Sequence, residues 1–313
     1  MNYTNPVYSE YFADPFVWRH DGMYYAVGTG PAGAHGMCFP LLHSRDLVRW
    51  ESLGHALIPV GAGLGNDYWA PEVAYSEGRF YLYYSVGHGD KGHHLRVAVS
   101  DRPEGPYSDT GTPLVDLSAC PFSIDASPFH DDDGQWYLFY ARDYLDTANG
   151  FLAGTGIAGD RLTGMTRLAG EEKTIVRATS GWQMYMARRP MYGGIYDWHT
   201  LEGPVVRKHD GRYYCFYSGG CWRNDTYGVD YAIAATVMGP YSDAGNEDGP
   251  RVLRSVPGQL VGPGHNSIVA GPDGSDIIVY HAWDAGMTAR RMCVDPLLWT
   301  PDGPRCDGPS WTE

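Results

Sequence analysis

The amino-acid sequence predicts an all-β protein, a five-bladed β-propeller that forms a single domain over residues 1–313. Three observations predict this fold. A short motif recurs five times, each copy is followed by a turn glycine and an aromatic strand, and no long segment has helical periodicity. Because one copy of such a repeat is long enough to form a unit of several strands, five copies indicate five blades around one axis.

Each copy of the motif starts a strand with a polar residue near a proline and then reaches a tight turn. The copies begin at Asp14, Pro71, Asp125, Glu202 and His265, and their turn glycines are Gly22, Gly78, Gly134, Gly211 and Gly274. Four of these turns read Asp-Gly, which favours a β-hairpin. A second repeat, Gly-Pro-Tyr-Ser-Asp, occupies residues 105–109 and 239–243, and we assign it to the outer strands of blades two and four.

The composition suits many short strands and limits the partners. The 41 Gly and 22 Pro supply turns, while the 24 Tyr and 10 Trp favour strands or surfaces that stack on sugars. The net charge of −14 repels phosphate backbones and anionic lipids, so we expect neither nucleic acid nor a membrane as a partner. A neutral oligosaccharide meets no such repulsion.

The start of the chain and the cysteines indicate a cytoplasmic protein. Residues 1–6 have neither the basic start nor the apolar run of a signal peptide, and the first strand is predicted to begin near Phe12. The cysteines match no metal-binding spacing, so we expect reduced thiols. They are Cys38, Cys120, Cys215, Cys221, Cys293 and Cys306.

The innermost strand of each blade lines the central channel of a propeller, so equivalent residues at its start converge at one mouth. The repeat places Asp14, Glu72, Asp125, Glu202 and His265 there. Carboxyl groups that lie this close disfavour joint ionisation and acquire different pKa values. Such a set can keep one acid protonated and another ionised, which is the requirement for cleaving a glycosidic bond. The alternative is that each acid only caps a turn.

Five sequence blocks resemble those of glycoside hydrolase family 43. They are Phe12-Ala13-Asp14-Pro15, Trp69-Ala70-Pro71-Glu72-Val73, Ile124-Asp125-Ala126-Ser127-Pro128, Leu201-Glu202-Gly203-Pro204 and Gly262-Pro263-Gly264-His265-Asn266-Ser267. They follow one another over nearly the whole chain. The resemblance implies a five-bladed propeller with β-xylosidase, α-L-arabinofuranosidase or endo-arabinanase activity.

The resemblance also implies roles for three carboxylates in an inverting mechanism. Asp14 would be the general base, Glu202 the general acid, and Asp125 the residue that tunes the pKa and the orientation of the acid. Inversion predicts that the base and acid carboxyl groups lie about 6.5–9.5 Å apart, with room for a water molecule.

His265 leads the one blade without a carboxylate, and the resemblance implies a channel histidine near a calcium or other ion, held mainly by water. A hydrogen-bonded core histidine without metal is the alternative. Candidate substrate contacts are Trp69 and Phe122, whose rings could stack on a pentose, Arg290, which matches a family arginine, and Glu72. Glu72 could instead orient a neighbour or support packing between blades.

The expected activity is exo-acting release of L-arabinofuranose from arabinan or arabinoxylan oligosaccharides, which are the expected partners. We favour it over β-xylosidase activity because many family β-xylosidases carry a further C-terminal β-sandwich, and this sequence has one propeller. The alternative from another class is a non-catalytic propeller that binds glycans, since fold alone does not determine function. Two G-x-G-x-x-G matches, at residues 28–33 and 154–159, open no helix and do not indicate dinucleotide binding.

Overall fold

The computed structural model describes residues 3–118, 120–244 and 248–311. Within these ranges the regular structure is almost entirely β, with only three single-turn 3-10 helices besides the strands. No helix in the described part of the chain is long and apolar enough to cross a membrane. The all-β prediction is therefore confirmed, and all six cysteines are buried as free thiols.

The strands follow one another as antiparallel units, which we number as blades I to V. Blade I contains β1 (Ala13–His20), β2 (Met23–Thr29), β3 (Cys38–Ser44) and β4 (Glu51–Leu57). Blade II contains β5 (Asp67–Ser76), β6 (Arg79–His88), β7 (Lys91–Ser100) and β8 (Ser108–Asp109). Blade III contains β9 (Ser123–His130), β10 (Trp136–Tyr144), β11 (Gly154–Arg161) and β12 (Lys173–Val176). After β13 (Met184–Met191), blade IV contains β14 (Gly194–His209), β15 (Arg212–Gly219) and β16 (Gly228–Ala234). Blade V contains β17 (Leu260–Ala270), β18 (Asp276–Asp284), β19 (Arg290–Thr300) and β20 (Gly303–Cys306).

Blades I, II and V are separate four-stranded sheets with their strands in chain order. Blades III and IV join in one eight-stranded sheet because β14 is long. The first part of β14 forms a hairpin with β13 and runs parallel to β11, whereas its second part pairs with β15. The outer edge of blade IV is completed by a bridge between Ile233 and Ser242, and that of blade II by β8, as the second repeat predicts.

The first strands of the five blades form a closed ring. β1 packs beside β5 and β17, β5 beside β9, and β14 beside both β9 and β17. Each interface between neighbouring blades has its own apolar core. Blades I and II share Trp18, Tyr84 and their neighbours, and the other four interfaces have equivalent clusters. This arrangement is the predicted five-bladed β-propeller.

The hairpin turns follow the predicted chemistry. At Asp21-Gly22 both residues have positive φ, 47° and 80°, and Asp210-Gly211 repeats this with 46° and 72°. Paired positive φ values define the type I′ turn, whose twist matches that of the flanking strands. These turns lie at the ends of the first strands away from the predicted site residues, so they fix the strand pairing without contributing to the site.

The ring is closed by the N-terminal segment, which lies along β19 of blade V. The backbone N–H of Val7 donates to the carbonyl of Met292, and that of Phe12 donates to the carbonyl of Arg290, both at 2.9 Å. The buried Asn5 side chain accepts from the N–H of Val294 at 2.9 Å and donates to its carbonyl at 2.8 Å. The segment therefore connects the start of blade I to the last blade.

Candidate active site

Each blade's first strand is interrupted by a β-bulge at the same point. In β1 the two residues between Ala13 and Phe16 are left out of the pairing with β2. Two residues are left out at the corresponding point of each of the other four first strands. The first skipped residue has positive φ in every blade. These residues are Asp14 (50°), Ala70 (47°), Asp125 (60°), Gly203 (56°) and His265 (48°). A bulge redirects side chains at a sheet end, and here it does so at one end of the channel.

The bulges correct the alignment on which the sequence prediction depended. Asp14, Asp125 and His265 are equivalent, but the residue equivalent to them in blade II is Ala70, and in blade IV it is Gly203. Glu72 lies two residues after Ala70, and Glu202 lies one residue before Gly203. The signal that could have revealed this is the proline that follows the bulge residue in three blades, at Pro15, Pro71 and Pro204.

Asp14 is surrounded by nitrogen atoms from blade V. Its Oδ1 lies 3.5 Å from His265 Nδ1, 3.3 Å from His281 Nδ1 and 3.3 Å from Arg290 Nη1. Its backbone N–H donates to His281 Nδ1 at 3.0 Å. Burial alone would raise the pKa of this carboxyl, but His265, Arg290 and His281 outweigh burial and lower the pKa below its usual range. Asp14 is therefore ionised near neutral pH.

Glu202 has the opposite environment. Its Oε1 accepts a hydrogen bond from the Tyr227 hydroxyl at 2.7 Å. Burial raises the pKa of Glu202 to about 7, the Tyr227 hydrogen bond opposes this rise, and the negative charge of Asp14 adds to it. A carboxyl group with this pKa holds a proton at neutral pH and can donate it.

Asp125 connects the two other carboxylates. Its Oδ2 accepts the backbone N–H of Gly203, the residue after Glu202, at 2.8 Å and lies 4.0 Å from His265 Nδ1. Burial and the charges of Glu202 and Asp14 raise the pKa of Asp125 well above its usual value. The Asp125 and Glu202 pair therefore retains a proton near neutral pH, because two buried carboxylates this close cannot both ionise readily.

Arg290 is the buried cation of the site. Its Nε–H and Nη2–H groups donate hydrogen bonds to the Tyr11 hydroxyl at 3.1 and 2.6 Å. Its guanidinium lies 4.6 Å from the ring centroid of Trp222. These contacts hold the planar group beside Asp14, so Arg290 is positioned to counter the charge of that carboxylate.

These residues line one cavity of about 570 Å³ at the channel mouth. Asp14, Asp125, Glu202, His265, Arg290, Trp69 and Phe122 all contribute to its wall. The Trp69 ring stacks on the buried His93 with centroids 3.6 Å apart, which leaves its remaining surface toward the cavity. The structure thus brings together seven of the eight candidate site residues.

The eighth candidate, Glu72, is not among the residues that line the cavity. It is buried, and its carboxyl group is hydrogen-bonded to Ser127 of blade III. Burial raises its pKa well above the usual value. The bulge explains the correction: Glu72 follows the skipped residues and has resumed regular pairing with Tyr83. Its contact with Ser127 agrees with the packing alternative.

The hairpin of β13 and β14 forms one side of the cavity. Arg189 of this hairpin donates to Asp90, in the β6–β7 turn of blade II, at 3.1 Å, and both residues line the cavity. The Arg189 guanidinium also lies 5.0 Å from the Tyr185 ring centroid. This ion pair joins strand β13 to the β6–β7 turn, so the cavity is bounded on this side.

Four residues of the site were not predicted from the sequence. Tyr227 donates to Glu202, Tyr11 holds Arg290, and His281 contacts Asp14. Asp143 lines the cavity, where its carboxyl accepts hydrogen bonds from Tyr192 at 2.6 Å and Thr155 at 3.0 Å. Each lies outside the start of a first strand, where the repeat directed attention.

The expected calcium ion was tested against the residues present. Among the described residues no three His, Cys, Asp or Glu side chains form a group suited to holding a metal ion. His265 Nδ1 faces Asp14 at 3.5 Å, and burial lowers the pKa of this histidine. Calcium requires about 6–8 oxygen ligands, which these side chains do not supply.

Comparison with known proteins agrees with this geometry. The family description "Glycosyl hydrolases family 43" matches residues 3–304. A β-D-galactofuranosidase (xynD) of Aspergillus niger is 29% identical over 319 residues, covering 96% of this chain and 83% of that protein. An extracellular endo-α-(1→5)-L-arabinanase of Bacillus subtilis is 27% identical over 317 residues, covering 95% and 88%.

A solved structure, that of a thermostable family-43 glycoside hydrolase, has a TM-score of 0.83 and 30% identity to this protein, and the match covers 100% of this chain and 98% of that one. The match of the family description therefore extends over all five blades, including every first strand that carries a site residue. This chain belongs to glycosyl hydrolases family 43 and is a glycosidase.

Proposed function

We propose that the protein is an exo-acting, inverting α-L-arabinofuranosidase that acts on arabinan or arabinoxylan oligosaccharides. One observation carries the catalytic part of this proposal: two carboxyl groups in one cavity have opposite pKa shifts. The pKa of Asp14 is lowered, whereas that of Glu202 is raised to about 7. Hydrolysis of a glycosidic bond requires an ionised base and a protonated acid at the same pH.

In this mechanism the oxygen of a water molecule attacks the anomeric carbon while Asp14 accepts a proton from that water. Glu202 gives its proton to the glycosidic oxygen as the bond between that oxygen and the anomeric carbon breaks. The sugar leaves with inverted configuration. Asp14 is then protonated and Glu202 ionised, and proton exchange with solvent restores both groups. Inversion predicts carboxyl groups about 6.5–9.5 Å apart.

Asp125 and Arg290 support this pair of groups. Asp125 accepts the backbone N–H of Gly203, the residue after Glu202, and so orients the chain that carries the proposed acid. The charge of Arg290, whose Nη1 lies 3.3 Å from Asp14 Oδ1, stabilises the ionised form of Asp14. His265 Nδ1 lies near both Asp14 and Asp125, so this side chain helps to fix the positions of the two carboxylates relative to each other.

The substrate class is supported by two further facts. The ion pair between Arg189 and Asp90 bounds the cavity on one side, which suits a terminal sugar rather than the middle of a polymer. The relatives from Aspergillus niger and Bacillus subtilis are named for galactofuranoside and L-arabinan substrates, both of which contain five-membered sugar rings.

The test compares hydrolysis of aryl α-L-arabinofuranoside and aryl β-D-xyloside by the parent protein and the Asp14→Asn variant. We expect release from the arabinofuranoside and a loss of at least about a thousandfold in kcat in the variant, because the attacking water loses its base. Proton NMR of the first product formed should show the inverted anomer.

A higher rate on the xyloside would contradict the assignment of the sugar, and a retained anomer would contradict the mechanism. Asp116→Asn is the matched control, because Asp116 is an exposed acid on a loop away from the cavity. A parent-like rate for Asp14→Asn would show that Asp14 is not the base.

Calcium in the channel stays a separate prediction, in which water supplies most of the ligands. Chelation with EDTA followed by gel filtration should lower both the initial rate and the melting temperature if the ion is bound, and added calcium should restore them. Unchanged values for both would remove the ion from the proposal, while leaving the roles of the carboxylates intact.

A further inference from the structure

A second cavity of about 390 Å³ lies between blades I and II. It is formed by the loop after β2 and the segment between β4 and β5. Thr29 and Trp69 line both this cavity and the active-site cavity, so the two spaces meet at these side chains. The mechanism above does not use this second space.

The lining of the second cavity suits a neutral, partly apolar ligand with hydroxyl groups. The half-buried Tyr68 and Trp69 supply aromatic surface, while Asn66 and Asp67 supply amide and carboxylate groups. No Lys or Arg is among its lining residues in the described part of the chain, so a phosphate or sulfate group would meet no positive charge there. Aromatic rings together with a few polar groups are what sugars require for recognition.

The aromatic side chains are held rigidly. Tyr68 accepts the backbone N–H of Val60 at 2.9 Å and stacks with Tyr84 at 6.1 Å between centroids. Trp69 is fixed on His93. A ligand would therefore bind to a preformed surface and would not have to order these rings, which favours affinity.

The rim of this cavity carries exposed apolar side chains. Ile58 and Leu64 are each 42% exposed, and they stand on the same segment as the lining residues Pro59, Val60 and Ala62.

We propose that the second cavity binds a further sugar unit of the glycan that carries the scissile pentose. The inference rests on the proposed function and adds a second binding position to the same active site, reached past Thr29 and Trp69. The protein would then distinguish an oligosaccharide from a simple pentoside. The gain in binding would come from a position that takes no part in bond cleavage.

The substitution Ala62→Trp tests this proposal, because the larger side chain would fill the second cavity. Ala62 is exposed and lines only the second cavity, so the substitution is expected to fold normally. The value of kcat/KM is measured for aryl α-L-arabinofuranoside and for α-1,5-linked arabinobiose, arabinotriose and arabinotetraose. We expect Ala62→Trp to lower kcat/KM for the preferred oligosaccharide by at least about tenfold, and to leave the aryl substrate within about twofold of the parent.

Ala244→Trp is the matched control, because Ala244 is exposed in the segment that follows blade IV and lines neither cavity. Calorimetry of arabinotriose with Glu202→Gln, alone and combined with Ala62→Trp, gives a readout independent of turnover. If the double variant binds the trisaccharide as tightly as Glu202→Gln, the second position is wrong. If the parent cleaves none of these substrates but Glu202→Gln binds the trisaccharide and Ala62→Trp weakens that binding, only the proposed activity is wrong.

Discussion

Asp14 and Glu202 carry the same functional group in opposite surroundings. Asp14 has three nitrogen groups from blade V within 3.5 Å of one oxygen, whereas Glu202 has a neutral phenol. Burial would raise both pKa values, so the neighbours decide the outcome. The difference between acid and base is therefore a property of neighbours and not of residue type.

These shifts set the expected dependence of activity on pH. Glu202 must be protonated, so kcat/KM should fall as the pH rises through about 7, the pKa of this group. Tyr227→Phe removes a donor that stabilises the ionised form of Glu202. Its loss raises the pKa, and the alkaline limb should move upward by about one pH unit.

The measurement is the pH profile of kcat/KM between pH 4 and 9.5 for an oligosaccharide substrate, at about one-half-unit steps. Tyr75→Phe is the control, since this tyrosine is 48% exposed on blade II. An alkaline limb that stays in place or moves downward in Tyr227→Phe would contradict the role assigned to the phenol. A purely structural role would lower the rate without moving the limb.

The first strands and the β13–β14 hairpin contribute different parts of the cavity. The five bulges direct side chains at the channel mouth, and they do so in conformations that are unfavourable for residues other than glycine. The hairpin is an addition to the repeat, inserted between blades III and IV and paired to both. The repeat therefore supplies the carboxylates at the channel mouth, whereas the hairpin lines one side of the same cavity.

Removing the hairpin's ion pair should affect binding more than chemistry. In Arg189→Ala we expect KM for the arabinofuranoside to rise about tenfold with kcat within about threefold of the parent, because Arg189 touches no reacting atom. A partly exposed ion pair contributes about 0–1 kcal/mol to stability, so the melting temperature should change little.

Steady-state kinetics of Arg189→Ala, Asp90→Asn and the double variant check this expectation, and the two single effects should not add. Arg188→Ala is the matched control, as it removes the same charge from an exposed neighbour that does not line the cavity. A fall in kcat with unchanged KM would place Arg189 in the chemical step instead.

The whole ring depends on how its two ends meet. Blades I and V each contain strands from only one end of the chain, so no blade combines both ends. The N-terminal segment joins them through backbone hydrogen bonds to β19. It also joins them through Asn5, whose side-chain amide forms hydrogen bonds with both the N–H and the carbonyl of Val294. Asp14 lies shortly after this segment, while its partners His281 and Arg290 lie in blade V. Closure of the ring therefore also assembles the surroundings of Asp14, the proposed base.

Asn5→Ala should destabilise the propeller by about 2 kcal/mol, because it leaves the buried N–H and carbonyl of Val294 without their partner. Thermal and urea unfolding of the variant should show this loss relative to Thr147→Ala, which changes an exposed side chain that caps nothing. If activity at 25 °C persists in folded Asn5→Ala, the effect is one of stability. An unchanged unfolding midpoint would show that the ring closes without this contact.

The sequence was sufficient for the blades and for most of the site. Asp14, Asp125 and His265 followed from a repeat whose signals are local, a polar residue near a proline, a turn glycine and an aromatic strand, whereas Arg290 followed from the family resemblance. The placement of Glu72 was wrong by two residues, because a bulge shifts the register without changing the composition of a strand. Tyr227 and Asp143 stand at positions that the repeat does not mark.

By itself, then, the sequence determined the number of blades, the strand turns and the carboxylates at the channel mouth, because each depends on residues close together in the chain. Only the tertiary structure decided which carboxylate is ionised. Asp14 and His281 are 267 positions apart, and Glu202 and Tyr227 meet only after blade IV has folded. A pKa depends on burial and on nearby charges in space, and both exist only once the ring has closed.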